Sequence, residues 1–338
     1  MKLVRKMALV ALVVALPYPA AASGGPSGPY GRGTPCETTI KPPPPKCANF
    51  DCSDPMFRLH PPRGTYVSAH CAEMPIPLHY YDGEGALLFG PADLGALRAL
   101  TAGSGYHPVA SEDGHGIAVL TVADFRDTGV GPYREIAIDF PVNEESVTVS
   151  TQNPYAFLSE TFNPQNKLWA HKLILSELMP IDWGREILGY DKNPAPQRIT
   201  VHTTADETTF AAADPLGNPI LSGHLAVDAD PRAQAQAVSQ LLRAPHGGKL
   251  WERFLTGGGL ARVNVVNPDV LHRSMKLMES YALLRLKSPP VVGLVGSESA
   301  LTVEPSSDFG GALSRIDFRP VVSARMSIRM HLDTGFAP

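Results

Sequence analysis

The sequence predicts a mainly β protein of the α+β class, in which a few helices accompany an antiparallel sheet that is closed or strongly curved. The first observation is a series of strand-like runs, Ile117–Val122, Ile136–Phe140 and Ser146–Ser150, the last with strict polar and apolar alternation. The second observation is their spacing, because turn residues separate the runs at short intervals. Many short strands with scattered helices favour a barrel or a strongly curved antiparallel sheet.

Turn chemistry predicts a hairpin in the second half of the chain. Asp214–Pro219 contains proline, glycine and asparagine, and it separates two alternating runs, Ile199–Phe210 and Ile220–Val227. Val321–Leu332 alternates more loosely and predicts a further strand near the carboxyl terminus.

Two helices are predicted from local signals. Asp93–Leu100 has the composition of a short helix. Asp230 and Pro231 are suited to the N-cap and the first helical position of a segment that ends near Arg243. Helices are therefore expected to be few and to accompany the sheet.

The first 22 residues have the three-part pattern of a secretory signal peptide. A basic start with Lys2, Arg5 and Lys6 precedes the unbroken apolar run Met7–Leu16, and Ala20–Ala22 offers a cleavage site of small residues. The apolar run is shorter than the roughly 20 residues that span a bilayer, and no later stretch is long and apolar enough. We therefore expect residues 1–22 to be removed, leaving a secreted or periplasmic protein without a membrane partner.

Residues 23–77 form a Pro/Gly/Cys-rich N-terminal extension, which precedes the main domain at residues 78–338. Proline disfavours regular ladders and helices, so this stretch is expected to lie extended over the domain surface. It contains all four cysteines of the chain, Cys36, Cys47, Cys52 and Cys71. In an oxidising compartment they predict two disulfides, with three possible pairings. A metal site is disfavoured because no C-x2-C pair occurs.

Composition and missing motifs exclude several classes of function. The formal net charge is −4 and no basic stripe occurs, so nucleic acid is not an expected partner. The chain has no H-E-x-x-H motif, no G-x-S-x-G motif and no P-loop, and a triple glycine at 257–259 lacks the surroundings of a dinucleotide site. We therefore expect neither a metal nor an organic cofactor.

Two segments carry the chemical signal of this sequence. Gly131–Glu135 reads Gly-Pro-Tyr-Arg-Glu, and Gly184–Lys192 reads Gly-Arg-Glu-Ile-Leu-Gly-Tyr-Asp-Lys. Their order and their separation of about fifty residues resemble the acetoacetate decarboxylase family, and the resemblance covers roughly residues 78–338. It implies an antiparallel β-barrel or cone with an internal pocket, often in a homo-oligomer. It also implies that Lys192 forms an iminium with a small keto acid.

The resemblance assigns further residues to the site. Glu135 matches the family glutamate at the substrate end of the pocket, where a carboxyl could transfer a proton to the enamine carbon. The predicted substrate pocket also includes Tyr133, Arg134, Arg185 and Tyr190. Because adjacent side chains of a strand point to opposite faces, we expect Glu135 rather than Arg134 to face the interior.

The predicted role of Lys192 sets a physical requirement. A lysine attacks a ketone only when its amine is neutral. With an ordinary pKa near 10.4, only about 0.04% of the amine is neutral at pH 7, and lowering the pKa to about 7 requires roughly 5 kcal/mol. Burial among apolar groups or a nearby cation can provide this shift. The iminium would then accept the electron pair released when carbon dioxide leaves a β-keto acid.

Three features depart from the family pattern. The family has a second lysine after the reactive one and a proline before it, whereas this chain has Asn193 and Asp191. The family arginine that meets the substrate carboxylate aligns with His79–Gly85, where no arginine stands. Three interpretations therefore remain open: a decarboxylase, an aldolase, dehydratase or cyclase using the same lysine, and a barrel that binds a small molecule without catalysis.

Overall fold

The computed structural model describes residues 36, 38–44, 54–226, 228, 230–250, 261–268 and 277–334. The predicted signal segment and the cysteines Cys47 and Cys52 lie outside the described residues. In chain order the strands are β1 (Gly64–Val67), β2 (Glu73–Ile76), β3 (Leu78–Ala92), β4 (His107–Pro108), β5 (Ala110–Ser111), β6 (Gly116–Thr128), β7 (Tyr133–Asn143), β8 (Thr148–Val149), β9 (Lys167–Leu175), β10 (Arg198–Thr203), β11 (Glu207–Ala213), β12 (Pro219–Ala226), β13 (Ala261–Pro268), β14 (Leu277–Leu286), β15 (Val291–Leu294), β16 (Ala300–Val303) and β17 (Val322–Thr334). The helices are α1 (Pro55–Leu59), α2 (Leu94–Leu100), α3 (Ala156–Thr161), α4 (Leu178–Asp182), α5 (Pro231–Arg243) and α6 (Asp308–Arg315), and a π-helix covers Trp183–Ile187.

Seven strands close into a barrel. They pair in the order β7, β9, β13, β14, β17, β3 and β6, and β6 pairs with β7 to complete the ring. All of these pairings are antiparallel except that of β9 with β13. Closure removes the unpaired edges of the sheet, and alternate side chains point into the barrel or away from it. The predicted mainly β class and antiparallel barrel are confirmed.

A second antiparallel sheet covers part of the outer surface of the barrel. It has four strands in the order β10, β11, β12 and β16. Ile136, Ile138 and Phe140 on the outer face of β7 share a buried cluster with Phe210 and Ile220 of this sheet. β7 is therefore buried on both faces, with one core outside the barrel and another inside.

The predicted hairpin is confirmed, with one correction. β11 and β12 pair on either side of the turn at 214–218. The run Ile199–Phe210 is not one strand, because a turn at 204–206 divides it into β10 and β11, which pair with each other. The run Ser146–Ser150 is also shorter than predicted, since only Thr148–Val149 forms a strand, which pairs with β5.

Both predicted helices are present, as Leu94–Leu100 and Pro231–Arg243. Asp93 caps α2, and its carboxylate accepts a hydrogen bond from Ala96 N at 2.7 Å. Asp230 caps α5, with Pro231 at the first helical position, where a missing N–H leaves no helical bond unmade. Among the described residues, no helix is both long enough and apolar enough to cross a membrane.

The N-terminal extension is more regular than its proline content predicted. α1 lies within it, and β1 and β2 form an antiparallel hairpin. Pro55 is compatible with α1 because it occupies one of the first helical positions. Cys36 and Cys71 form a disulfide, with their Cα atoms 5.7 Å apart. One predicted bridge is therefore present, while the pairing of the other two cysteines stays a prediction.

Candidate active site

Strand β7 places two carboxyl groups inside the barrel. Glu135, Ala137 and Asp139 line an internal cavity, whereas Ile136 and Ile138 belong to the outer core. This arrangement follows from the two-residue period of a β-strand. The structure thus places Glu135 on the inner face, the orientation expected from the sequence.

Lys192 reaches the same cavity from the segment that follows the π-helix. Its backbone forms an isolated bridge with Leu173 of β9, and its side chain is only 5% exposed. The amine lies 3.7 Å from Glu135 Oε2 and donates a hydrogen bond to Pro180 O at 3.1 Å. It also lies 5.7 Å from the centre of the Tyr190 ring. The structure therefore brings together Lys192, Glu135 and Tyr190 from two distant parts of the chain.

Burial controls the protonation of the Lys192–Glu135 pair. Loss of contact with water lowers the pKa of Lys192, and the Glu135 carboxylate opposes this shift only in part. Burial likewise raises the pKa of Glu135, again against the effect of the lysine. Both directions favour a neutral amine beside a protonated carboxyl. An iminium-forming site needs this combination, a nucleophile with an acid close by.

Asp191 and Asn193, the two neighbours of Lys192 that depart from the family pattern, both make contacts outside the cavity. Asp191 does not line the cavity, and its carboxylate accepts a 2.9 Å salt bridge from Lys172. Asn193 is buried, and its Oδ1 accepts a hydrogen bond from Leu175 N at 2.9 Å. Asp191 therefore does not stabilise the charged form of Lys192 from inside the cavity. The pKa of Lys192 is lowered by burial, without the adjacent lysine of the family.

Close packing against Lys192 explains why the matched segment begins with a glycine, Gly184. It lies in the π-helix, and a Cβ at this position would overlap Cε and Nζ of Lys192. A glycine therefore allows the helix backbone to approach the lysine side chain closely. π-Helical turns are rare and occur frequently at functional sites.

The N-terminal extension holds the π-helix in place. Trp183 Nε1 donates to Pro75 O of β2 at 2.9 Å, and Tyr66 of β1 donates through its hydroxyl to Glu186 Oε2 at 2.8 Å. The extension thus contacts the helix that packs on Lys192, although none of the described residues of the extension lines the cavity.

One group of side chains in this contact has the composition of a metal site. The candidate ligand atoms of His70, Asp182 and Glu186 lie within 4.8 Å of one another. Each is already engaged, because His70 Nδ1 bonds Asp182 at 3.0 Å and Glu186 accepts from Tyr66. These contacts favour a structural role in joining the extension to the π-helix.

Three buried tyrosines surround the cavity. Tyr190 lines it, and its hydroxyl bonds Ser280 Oγ at 3.0 Å. Tyr80 also lines it and shares a 2.9 Å hydrogen bond with the hydroxyl of Tyr133. Burial raises the pKa of all three tyrosines, so they remain neutral. Tyr133 was predicted to line the pocket, but it is not among the lining residues and contacts Tyr80, which is.

The cavity has a volume of about 180 Å³ and a predominantly apolar wall. Its remaining lining residues are Gly85, Leu87, Thr121, Ala123, Phe125, Phe162, Leu168, Ala170, Leu173, Val263, Val265, Ala282, Leu284, Met326, Ile328, Met330 and Leu332. Among these described lining residues there is no arginine or histidine, and Lys192 is the only basic side chain. No substitute for the family arginine therefore faces the cavity from this part of the chain.

Two residues predicted to line the pocket lie elsewhere. Arg134 is on the outer face of β7, where its Nε lies 3.1 Å from Asp124 Oδ1. This placement follows from strand alternation, since Glu135 takes the inner face. Arg185 belongs to the π-helix and is not among the residues that line the cavity. The predicted pocket positions of Arg134 and Arg185 are corrected accordingly.

Asp139 is a cavity residue that the sequence analysis did not identify. It stands four positions after Glu135 on the same strand, so alternation places it on the same face. That spacing was a usable signal. Asp139 lies outside both segments that resemble the decarboxylase family, so the resemblance does not indicate it.

The fold is that of acetoacetate decarboxylase and similar enzymes. The structure aligns with acetoacetate decarboxylase from Legionella pneumophila with a TM-score of 0.50 and 12% identity, covering 77% of this chain and 87% of that one. A second acetoacetate decarboxylase structure gives 0.47 at 13% identity, and the enduracididine biosynthesis enzyme MppR complexed with pyruvate gives 0.45 at 14%, each covering 76% of this chain and 87% of the other. No family model and no curated protein sequence matches this chain. The chain therefore has an acetoacetate decarboxylase-like fold, which by itself does not assign its chemistry.

Proposed function

We propose that this protein is a Schiff-base lyase for a small keto acid, and that it most simply decarboxylates a β-keto acid through an iminium on Lys192. The observation that carries the proposal is the buried Lys192 amine, 3.7 Å from Glu135 Oε2 inside an apolar cavity. Burial lowers the pKa of this lysine, which raises the fraction of its nucleophilic neutral form.

Iminium formation follows from the protonation of the pair. The neutral amine of Lys192 adds to the ketone carbon, forming a C–N bond and a carbinolamine. Protonated Glu135 donates its proton to the departing hydroxyl, which leaves as water and produces the iminium. The resulting Glu135 carboxylate lies beside the new positive charge and stabilises it.

In the decarboxylation step, the iminium accepts an electron pair from the breaking bond. The bond between the α-carbon and the carboxylate breaks, carbon dioxide leaves, and the electron pair neutralises the iminium nitrogen as an enamine. An apolar wall without arginine leaves the substrate carboxylate poorly solvated, and loss of carbon dioxide removes that charge. A proton added to the enamine carbon and one water molecule release the ketone and free Lys192.

We further propose that the protein is exported. The Cys36–Cys71 disulfide supports this, because stable disulfides form mainly in oxidising compartments. Intact mass of the purified secreted protein should show loss of residues 1–22 and of four hydrogens for two disulfides. Retention of the leader, or four alkylatable thiols under denaturing, non-reducing conditions, would contradict the respective part of this proposal.

The iminium is tested by borohydride trapping followed by peptide mapping. Acetoacetate, pyruvate and longer β-keto acids should be compared, with carbon dioxide release measured in parallel. At least one β-keto acid should be trapped on Lys192 and should release carbon dioxide. Lys192→Arg should abolish both, because guanidinium stays protonated and cannot attack. The matched control is Lys41→Arg, since Lys41 is an exposed lysine of the extension.

The other outcomes separate the alternatives. If pyruvate is trapped while no β-keto acid releases carbon dioxide, an aldolase, dehydratase or cyclase replaces the decarboxylase. If nothing is trapped and binding of keto acids is unchanged by Lys192→Arg, the protein is a non-catalytic binder and the Schiff-base function is wrong.

A further inference from the structure

Asp139 is a buried carboxyl that the proposed decarboxylation does not use. Its side chain lines the same cavity as Lys192 and Glu135, and the residue is 7% exposed. Among the described residues, no hydrogen bond or ion pair to its carboxyl is present. A carboxyl that faces an apolar cavity without a protein partner is costly unless a molecule in the cavity bonds it, so its position indicates a ligand there.

The backbone aims Asp139 into the cavity at a distance from the reactive amine. Four residues of a strand separate it from Glu135, which corresponds to roughly 13 Å between the two Cα atoms. Between them on the inner face stands only Ala137, whose small side chain leaves room along the wall. On the neighbouring strand β9, a bulge at His171 separates Ala170, opposite Asp139, from Lys172. Bulges of this kind commonly redirect side chains next to active sites.

The surroundings of Asp139 favour its uncharged form. Burial raises its pKa well above the ordinary value, and nearby Glu135 adds to the shift. The neighbouring Tyr190 hydroxyl is already bonded to Ser280, at 3.0 Å. A protonated carboxyl offers one O–H donor and one carbonyl acceptor in the same group.

We propose that Asp139 hydrogen-bonds a hydroxyl group on the substrate, several carbons away from the keto group that reacts with Lys192. The substrate class is then a hydroxylated keto acid with a chain long enough to reach both residues. This inference rests on the proposed Schiff-base function for the position of the keto group. Asp139 itself determines specificity and takes no part in bond breaking.

A hydroxyl fits this position better than other polar ends. It can accept from the O–H of the carboxyl and donate to its carbonyl, so both groups are satisfied. A carboxylate end would bring an uncompensated charge into an apolar wall, where Lys192 is the only basic lining residue described. An ammonium end would require desolvation of a second charge and ionisation of Asp139.

The test compares substrates that differ only at the far end. For each chain length, borohydride trapping on Lys192 is measured with a plain β-keto acid and with its terminally hydroxylated and terminally aminated counterparts. At one or more chain lengths the hydroxylated acid should be trapped about tenfold more efficiently than the plain one, the effect of one well-placed hydrogen bond. Asp139→Leu should abolish or invert this preference, whereas Asp139→Asn, which keeps a donor and an acceptor, should retain part of it.

A second arm separates failure of this inference from failure of the lyase function. Lys192→Met cannot form an iminium, so calorimetric binding of a plain methyl ketone and its hydroxylated counterpart to this variant, with and without Asp139→Leu, measures the contribution of Asp139 independently of the iminium. If no acid is trapped by the unmodified protein, the lyase function fails, and the binding arm still decides the hydroxyl preference. The inference is overturned if neither arm shows a hydroxyl preference at any chain length, if Asp139→Leu leaves it unchanged, or if the aminated acid is preferred.

Discussion

Buried acids in two regions of this barrel have opposite surroundings. On the outer face of β14 and β17, which the extension covers, Asp54 lies 2.7 Å from Arg285 and 2.9 Å from Arg329. Although burial raises its pKa, the Met56 N–H and the two arginines outweigh that effect and hold the pKa of Asp54 below its ordinary value. In the cavity, burial raises the pKa of both Glu135 and Asp139.

The contrast distinguishes acids that stabilise the fold from acids that are available to a ligand. The structural carboxylate Asp54 is paired with two arginines, whereas burial shifts both cavity carboxyls towards their neutral form. Strongly shifted pKa values in a cleft are typical of functional sites. The direction of the shift, together with the partners, therefore indicates which buried acids belong to the site.

The largest expected effect is on catalysis at Glu135. Glu135→Gln removes the acid beside Lys192 while preserving side-chain size, so the rate of trapping and of carbon dioxide release should fall by about 10²–10⁴-fold. The unfolding free energy should change little. Glu84→Gln is the matched control, because Glu84 pairs with Arg126 outside the cavity. Full activity of Glu135→Gln would remove the proton-transfer role.

The next effect concerns stability at Asp54. Arg329→Met should lower the unfolding free energy by about 2–4 kcal/mol, because it leaves a buried carboxylate with one fewer cation. The loss should shrink in acid, since the folded-state pKa of Asp54 is lowered and its contribution disappears as pH falls through that pKa, below about 3.9. Urea unfolding at several pH values measures both.

Arg319→Met is the control for this comparison, because Arg319 and Asp317 form an ion pair that is largely exposed. It should change stability by no more than about 1 kcal/mol. Equal losses at Arg329 and Arg319 would contradict the distinction between the covered face and the exposed surface.

A smaller effect on stability is expected at the π-helix. Gly184→Ala should displace the Lys192 side chain, destabilise the protein by about 1–3 kcal/mol through overpacking, and slow trapping more than it affects keto acid binding. Gly64→Ala is the control, since an added Cβ there meets no atom within 4 Å. Normal trapping by Gly184→Ala would show that the lysine does not need its observed position.

The smallest expected effect is an increase, not a decrease, in the unfolding free energy. Asp139→Leu replaces an unpaired buried carboxyl with an apolar group and should stabilise the fold by about 1 kcal/mol at neutral pH. The gain should grow as pH rises from about 3.9, because the unfolded chain ionises Asp139 there while its raised pKa keeps it protonated in the fold. Urea unfolding between pH 4 and 8 measures this slope, and a loss of stability would indicate a structural role for Asp139.

Much of the fold could be predicted from local signals. Strand periodicity identified the barrel strands β6 and β7, local composition indicated α2, and Asp230 with Pro231 located the start of α5. The hairpin of β11 and β12 followed from its turn residues. The hairpin of β1 and β2 was not predicted. Its pairing is stabilised by contacts with the main domain, and a proline-rich composition does not reveal such contacts.

The candidate site was predictable only in part. The two matched segments indicated Lys192 and Glu135, but a sequence motif does not state which neighbouring side chains share their cavity. Arg134 was assigned to the pocket although alternation excludes it once Glu135 faces inward. Asp139 follows Glu135 by four positions, so the same alternation places it on the inner face, although no motif indicates it.

By itself, the sequence determined the class of fold, which side chains share a face of each strand, and the residue types able to form an iminium. These properties depend on residues near one another in the chain. Only the tertiary structure decided that Asp191 lies outside the cavity, that Asn193 supports β9, and that Asp139 has no partner among the described residues. Protonation and pairing depend on burial, and burial is set by strands that are distant in sequence and meet when the barrel closes.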